Sequence, residues 1–214
     1  MEKEEYELEY WKKQSKHDRG KLKNSWYERF YTTFFNLSKE NYVGKRILDV
    51  GSGPRGSLDW IADEAHADGI DPCADEYKEL NKVKMNLIQG EVESFQSVEK
   101  YDFVTSFNSL DHVNNIDKAI SSIFSLLKPN GIFLLLSDIH REPTNMEPSA
   151  FNWDIIEKLK QNKFLIKRND HYEKHRGGMY QSLDDPQKYD HNNNAERYGI
   201  IAVYAQKPNS KNLD

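Results

Sequence analysis

The chain has 214 residues, of which 37% are hydrophobic and 30% charged, and its formal net charge is -5 with a pI near 5.8. A chain of this length can bury a real core, and one domain with additions is the expected organisation. The acidic balance argues against a nucleic-acid partner, because nucleic-acid binding depends on neutralising phosphates. The sole cysteine, Cys73, excludes an intrachain disulfide and a zinc site built on a CxxC pair.

No apolar run approaches the ~20 residues of a membrane-spanning helix, and the N-terminus does not resemble a signal peptide. These features predict a cytoplasmic protein with no membrane partner.

Residues 1–42 are predicted to form a helical extension that precedes a main domain at residues 43–214. Aromatic residues recur at helical spacing in this extension, at Tyr6, Tyr10 and Trp11 and again between Trp26 and Phe35. Packing against the main domain is the favoured interpretation of these aromatics. A lid over a ligand and a homodimer contact through the N-terminal helices remain open.

Beyond Lys45, short apolar strands alternate with helical segments, which predicts an α/β fold with a parallel sheet covered on both faces. A long polar loop without a helix is expected between the last two strands. The predicted strands are 46–50, 67–70, 85–88, 101–106, 131–137, 164–172 and 198–206. The predicted helices are 56–64, 75–83, 91–96, 116–127 and 149–161.

A glycine-rich turn follows the first strand, with Gly51, Gly53 and Gly56 in a G-x-G-x-x-G pattern typical of dinucleotide binding. Asp49 stands just before this turn, where a fixed anion would repel the pyrophosphate of a dinucleotide. S-adenosyl-L-methionine carries an ammonium and a sulfonium but no phosphate, so it fits the turn better than NAD does. Asp71 ends the second strand and suits the ribose hydroxyls of either cofactor.

Five segments, in order, resemble the motifs of class I S-adenosylmethionine-dependent methyltransferases, in the branch that acts mostly on small molecules. They are DVGSGP at 49–54, GIDP at 69–72, QGEVESF at 89–95, YDFVTSFNSLDHV at 101–113 and LKPNGIFLLLSD at 127–138. The resemblance implies a Rossmann-like, doubly wound, seven-stranded sheet, mostly parallel with one antiparallel strand. It also implies S-adenosyl-L-methionine as the cofactor and methyl transfer as the activity.

The resemblance also implies roles for individual residues in binding the cofactor. Those expected at the methionine part are Asp49, Gly51, Ser52 and Gly53, with Asp71 at the ribose, Pro72, Glu91 and Val92 at the adenine, and Asn108 and Ser109 near the reactive methyl group. The pair Pro54-Arg55 departs from the usual pattern. Arg55 either meets an anion of the cofactor or substrate, or points to solvent.

Candidates for the general base lie beyond strand ends, where open α/β sheets bind ligands. His112 follows the fourth strand, and Asp138 and His140 follow the fifth, so these three are the predicted catalytic residues. A positioned base typically adds ~10²–10⁴-fold in rate, which favours a hydroxyl acceptor slightly over an amine. His171 and His191 are expected to converge on the same rim.

No compact metal motif such as HExxH appears, so no metal is predicted. Hydrogen bonding to a small polar acceptor, such as a sugar or a natural-product intermediate, is favoured instead, with Arg141, Asn145, Tyr180 and Gln181 nearby. The alternatives are a nucleic-acid or protein methyltransferase, an NAD-dependent oxidoreductase, and a catalytically silent binding module.

Overall fold

The computed structural model describes residues 3–20, 22–144, 147–148 and 150–209, and its centre is one seven-stranded sheet. The strands are β1 (Arg46–Val50), β2 (His66–Asp71), β3 (Asn86–Gln89), β4 (Tyr101–Phe107), β5 (Leu127–Ile139), β6 (Leu165–Glu173) and β7 (Gly199–Gln206). Their order across the sheet is β3-β2-β1-β4-β5-β7-β6. β7 runs antiparallel to β5 and β6, and the other neighbouring strands pair in parallel. The predicted fold, mostly parallel with one antiparallel strand, is confirmed.

Helices cover both faces of this sheet. They are α1 (Lys3–His17), α2 (Glu28–Tyr31), α3 (Ala74–Leu80), α4 (Ile116–Leu126), α5 (Ile155–Gln161) and α6 (Met179–Leu183). α4 begins where the Asn115 side chain accepts a hydrogen bond from the Lys118 backbone N–H at 3.0 Å. Its buried residues, Ala119, Ile120 and Ile123 among them, recur at helical spacing and face the sheet core.

The sheet separates two hydrophobic clusters, because side chains alternate between its faces. Leu48 and Val104 pack with α4 on one face, whereas Ile47 packs with the N-terminal aromatics on the other. Tyr31 and Tyr42 belong to that second cluster, and the Tyr42 hydroxyl donates to the Tyr31 carbonyl at 2.5 Å. The aromatics between Trp26 and Phe35 therefore pack on the main domain as predicted, whereas Tyr6 and Tyr10 are exposed. The boundary at residue 42 stays a prediction.

The prediction of a helix at Gly56–Glu64 is wrong, because that segment forms a series of turns. Its hydrogen bonds join residues three apart, as from the Asp59 N–H to the Gly56 carbonyl at 3.1 Å. The Asp59 carboxylate accepts from the backbone N–H groups of Lys84 and Met85, and these bonds compete with a regular helix.

Three other helix predictions also differ from the structure. Residues 91–96 form a turn in which the Ser94 N–H donates to the Glu91 carbonyl at 3.2 Å. α5 begins only at Ile155, and Ser149, where that helix was expected to start, lies outside the described residues. The loop between the last two strands contains a short helix, α6, where none was expected.

Candidate functional site

A cleft of about 510 Å³ opens at the carboxyl ends of β1, β2, β4 and β5, within the size range of ligand pockets. It is the position at which open α/β sheets bind ligands. Of the predicted site residues, those in its lining are Asp49, Gly51, Ser52, Gly53, Asp71, Pro72, Glu91, Val92, Asn108, Ser109, His112 and Asp138. Among the predicted catalytic and cofactor-binding residues, His140 alone does not line it.

The turn after β1 requires glycine at position 51. Gly51 has a φ of +69°, and a Cβ there would lie far inside the van der Waals contact distance to the Ser109 Cβ. Ser109 is itself fixed, since its hydroxyl donates to the Val50 carbonyl at 2.5 Å. Asn108 also has a positive φ, +57°, at the end of β4. The ends of β1 and β4 therefore meet closely at the cleft floor.

Asp49 is buried beneath this turn. Its carboxylate accepts hydrogen bonds from the hydroxyls of Thr105, at 2.6 Å, and Ser57. Burial raises the pKa of Asp49 to about 6, although both hydrogen bonds oppose that shift. Because burial disfavours the charged form of Asp49, a cationic group beside its carboxylate would stabilise that form.

Asp71 joins the turn after β1 to the end of β2. Its carboxylate accepts from the backbone N–H of Gly53 at 3.0 Å and from that of Cys73 at 2.9 Å. Burial raises the pKa of Asp71 to about 7, and the nearby carboxylate of Glu7 on α1 adds to the shift. Asp71 thus holds the glycine turn in place while lining the cleft.

Helix α1 lies over the mouth of the cleft. A Cβ at Gly53 would lie 3.3 Å from Cζ2 of Trp11, so the indole covers the glycine turn directly. The Lys3 ammonium donates to the His112 carbonyl at 2.8 Å and fixes the start of the helix. Within α1, whose residues are all described, no side chain is fully buried.

Arg55 takes a role that the sequence did not suggest. Its guanidinium donates to the Asp18 carboxylate at 3.2 Å and to the Lys23 carbonyl at 3.0 Å, and it lies 5.4 Å from the Trp11 ring. It therefore links the glycine turn to the segment that follows α1.

The end of β5 forms the other side of the cleft. Lys174, the first residue after β6, donates to one oxygen of the Asp138 carboxylate. The second oxygen, Oδ1, is buried and has no hydrogen-bond partner among the described residues. Burial raises the pKa of Asp138, against the effect of the Lys174 charge.

Lys174, Glu147 and Trp11 line the cleft but were not selected from the sequence. The rule that ligands lie beyond strand ends could have indicated Lys174. Tyr180 and Gln181, which were selected, also line it.

The predicted set of histidines does not converge on one rim. His140 is buried behind the cleft wall, where its Nδ1 donates to the Glu142 carbonyl at 3.0 Å. His171 and His191 pair with each other at 2.8 Å, and His171 stacks on Trp153 with ring centroids 4.1 Å apart. These contacts hold both histidines outside the cleft lining. Asn145 lies outside the described residues.

Acidic side chains outnumber basic ones in the cleft lining, which suits a positively charged ligand and opposes a pyrophosphate. The carboxylates are those of Glu7, Asp49, Asp71, Glu91, Glu93, Asp138 and Glu147, and the basic side chains are Lys3, Arg55 and Lys174.

An open sheet with a glycine turn and an acidic cleft at its carboxyl edge defines a Rossmann-like ligand-binding domain. A family model described as a methyltransferase domain matches residues 10–183. The chain therefore belongs to this family of methyltransferases, and the class of enzyme inferred from the motifs is confirmed. A ubiquinone biosynthesis O-methyltransferase of Rickettsia felis is 34% identical over 116 residues, which cover 49% of this chain and 46% of that protein. The chain spans about half the length of the curated relatives it matches.

Solved structures share the fold at low sequence identity. Phosphoethanolamine N-methyltransferase 2 of Haemonchus contortus, in complex with S-adenosyl-L-methionine, aligns with a TM-score of 0.58 and 17% identity over 86% of this chain and 53% of that one. An S-adenosylmethionine-dependent methyltransferase of Mesorhizobium loti aligns with a TM-score of 0.55 and 14% identity, over 77% of this chain and 92% of that one. Among the residues described here, no helix has the length and apolar character needed to cross a membrane.

Proposed function

We propose that this chain binds S-adenosyl-L-methionine and transfers its methyl group to an oxygen of a small polar acceptor. The observation that carries the proposal is the acidic glycine turn, in which Asp49 and Asp71 are buried at the carboxyl edge of the sheet. Such a turn attracts an ammonium or a sulfonium and repels a pyrophosphate, so an NAD-dependent oxidoreductase is disfavoured.

The residues around the turn fit this cofactor. The hydroxyl of Ser52 lines the cleft, is buried, and has no hydrogen-bond partner among the described residues. Buried polar groups in native proteins are rarely left without partners, so Ser52 supports a polar ligand at this position. We assign Gly51 and Gly53 to the methionine part, and Asp71 to the ribose.

The adenine edge is assigned to the segment after β3. Glu91 and Val92 line the cleft there, with Pro72 nearby on the loop after β2. The Glu91 carboxylate is held by the Asn114 side chain at 3.3 Å, and we assign it to the exocyclic amine. Asn108 and Ser109, at the end of β4, are assigned to the region of the reactive methyl group.

When bound, S-adenosyl-L-methionine supplies an electrophilic methyl group on a sulfonium. The chain's own residues exclude water, orient the acceptor and take its proton. Trp11 on α1 lies against Gly53 and lines the cleft, and we assign to α1 the role of a lid. Asp138 is the preferred proton acceptor, because Lys174 fixes one of its oxygens and leaves the other without a partner among the described residues.

The acceptor end is polar and aromatic. Lys174 pairs with Asp138, and Tyr180 and Gln181 also line the cleft, so all three can bind hydroxyl groups of an acceptor. A sugar or a natural-product intermediate with several hydroxyls suits this lining. The names of the curated relatives, which are O-methyltransferases, support oxygen over nitrogen.

The test is a calorimetric titration of the purified chain with S-adenosylmethionine, S-adenosylhomocysteine and NADH in parallel. We expect micromolar binding of both adenosyl ligands and none of NADH. A screen of hydroxylated and amine acceptors with radiolabelled methyl donor then identifies the acceptor class. Binding of NADH alone would overturn the proposal, and label found only on amines would overturn the assignment to oxygen.

A further inference from the structure

A second group of polar side chains lies behind the acceptor end of the cleft. This group, the Asp111 cluster, consists of Asp111, His112, His140 and Glu147. One nitrogen or oxygen atom from each of Asp111, His112 and Glu147 lies within 4.8 Å of the other two. His140 Nε2 lies 3.9 Å from Asp111 Oδ2 and 4.0 Å from Glu147 Oε2.

The Glu142 carbonyl fixes the tautomer of the neutral His140 ring. Its Nδ1 lies 3.0 Å from the Glu142 carbonyl, which can only accept, so Nδ1 carries a proton. In the neutral ring, Nε2 therefore presents a lone pair to the carboxylates of Asp111 and Glu147. A carbonyl that fixes the far nitrogen of a histidine in this way is the usual arrangement for a metal ligand.

The buried atoms of the Asp111 cluster lack donors. Asp111 and His140 are 2% and 3% exposed. Within the described part of the chain, neither oxygen of Asp111 nor Nε2 of His140 has a hydrogen-bond partner. Carboxylate oxygens and a nitrogen lone pair that face one another in a buried space are unfavourable without a positive charge between them.

We propose that Asp111, His112, His140 and Glu147 bind a divalent transition-metal ion. Mixed imidazole and carboxylate ligands suit ions such as Mn²⁺, Co²⁺ or Zn²⁺ better than Mg²⁺ or Ca²⁺. Ligand atoms ~2.0–2.2 Å from such an ion lie about 3.3–3.6 Å apart in a tetrahedral site, so side-chain rotations that move these atoms by about 1 Å would close the cluster around an ion.

The position of the ligands explains why the sequence shows no compact metal motif. Asp111 and His112 lie at the end of β4, whereas His140 and Glu147 lie beyond β5. The parallel pairing of β4 with β5 brings the two segments together. His112 and Glu147 line the main cleft, so an ion can enter from there. His112 is then a metal ligand, which leaves Asp138 as the proton acceptor.

The experiment is a titration of chelator-treated protein with Co²⁺, followed by calorimetry and by visible absorption. We expect one ion per chain and ligand-field bands typical of nitrogen and oxygen ligands. His140→Gln and Asp111→Asn should each weaken binding at least tenfold. His171→Gln is the matched control, because its imidazole pairs with His191 outside the cleft, and it should leave binding unchanged.

Glu147→Gln is a second ligand variant, for use if loss of a buried group prevents folding, because Glu147 is only half-buried. Absence of Co²⁺ binding to the wild-type protein would overturn the proposal. So would a His140→Gln or Glu147→Gln variant, folded by its thermal transition, that binds Co²⁺ as tightly as wild type. S-adenosylhomocysteine is titrated into the same samples. If S-adenosylhomocysteine binds and Co²⁺ does not, the metal site is wrong and the proposed cofactor stands. If Co²⁺ binds and S-adenosylhomocysteine does not, the proposed cofactor is wrong and the metal site stands.

Discussion

Asp71 accepts a hydrogen bond from the backbone N–H of Gly53, with 3.0 Å between nitrogen and oxygen. The bond joins the end of β2 to the turn that follows β1. The other oxygen of the same carboxylate accepts from the Cys73 N–H at 2.9 Å, at the start of the loop before α3. One buried side chain thus holds two loops at the edge where the cofactor is proposed to bind.

Replacing Asp71 with alanine should abolish detectable binding of S-adenosylhomocysteine while the protein still folds. The change removes the proposed ribose contact and leaves two backbone N–H groups without an acceptor, each at a cost of ~1–3 kcal/mol. Calorimetry measures the affinity, and thermal unfolding measures the stability. Asp75→Ala is the control, since Asp75 is exposed and forms an ion pair with Lys78 on the surface of α3. Micromolar affinity retained in Asp71→Ala would show that the ribose lies elsewhere.

The affinity for S-adenosylmethionine should rise as the pH increases from about 5 to 7. Burial raises the pKa of Asp49 to about 6 and that of Asp71 to about 7, so both become fully charged only above this interval. A cationic ligand binds the charged forms more tightly. Calorimetry at several pH values checks this, and Asp71→Asn should flatten the upper part of the profile. An affinity independent of pH would contradict it.

The stability of the free protein should change in the opposite direction. The folded-state pKa values of Asp49 and Asp71 are raised above the ordinary value of 3.8. Their contribution to stability is therefore fully present below pH 4 and is lost as the pH rises through about 6 to 7. Urea unfolding midpoints compared between wild type and Asp71→Asn isolate this contribution. Between pH 5 and 7, the unfolding midpoint of the variant should fall less than that of the wild type. An identical fall in both proteins would assign the pH dependence to other groups.

Gly51→Ala should destabilise the protein more than Gly44→Ala does. Both glycines have nearly the same positive φ, +69° and +70°. A Cβ at position 44 meets open space, whereas one at position 51 overlaps the Ser109 side chain. The backbone strain is thus common to both variants, and the difference between them, of about 1–3 kcal/mol, measures the overlap. Equal unfolding free energies would mean that Ser109 can move aside.

The centre of the sheet was predictable because its strands are short apolar runs whose ends carry glycine or aspartate. The prediction of β1 coincides with the observed Arg46–Val50. The helix expected at Gly56–Glu64 failed for a reason that the local sequence does not contain. The Asp59 carboxylate accepts hydrogen bonds from the Asn24 side chain and from the backbone N–H groups of Lys84 and Met85, all of which are distant in the chain.

Contacts between distant parts of the chain also decided which predicted residues reach the candidate site. The rule that ligands lie beyond strand ends selected both Asp138 and His140, but only Asp138 reaches the cleft. His140 pairs with Phe151 in a short antiparallel bridge, its N–H donating to the Phe151 carbonyl at 2.9 Å. That contact depends on the path of the chain after β5. The sequence therefore indicated the edge of the sheet, and the tertiary contacts decided which side chains face the ligand.

Trp11→Ala should weaken S-adenosylhomocysteine binding by about tenfold, as expected for loss of one aromatic contact worth ~1 kcal/mol or slightly more. The indole lies against Gly53 at the mouth of the cleft, and α1 contributes no fully buried side chain to the core. The unfolding temperature should therefore change little. Tyr6→Ala is the control, because Tyr6 lies on the same helix, is exposed and is not part of the cleft lining. If both variants weaken binding equally, α1 acts through its helical structure and not through a contact of Trp11.

Asp138→Asn should lower kcat with the acceptor found in the methyl-transfer screen by ~10²–10⁴-fold, the usual contribution of a positioned base. The amide keeps the shape of the side chain but cannot take a proton, so the affinity for S-adenosylhomocysteine should stay within about threefold, or ~0.7 kcal/mol. Steady-state kinetics and calorimetry separate the two effects. Asp117→Asn is the control, since Asp117 forms an exposed ion pair with Lys158 at the start of α4. An unchanged kcat in Asp138→Asn would remove Asp138 from proton transfer, and a matching loss of cofactor affinity would make it a binding residue.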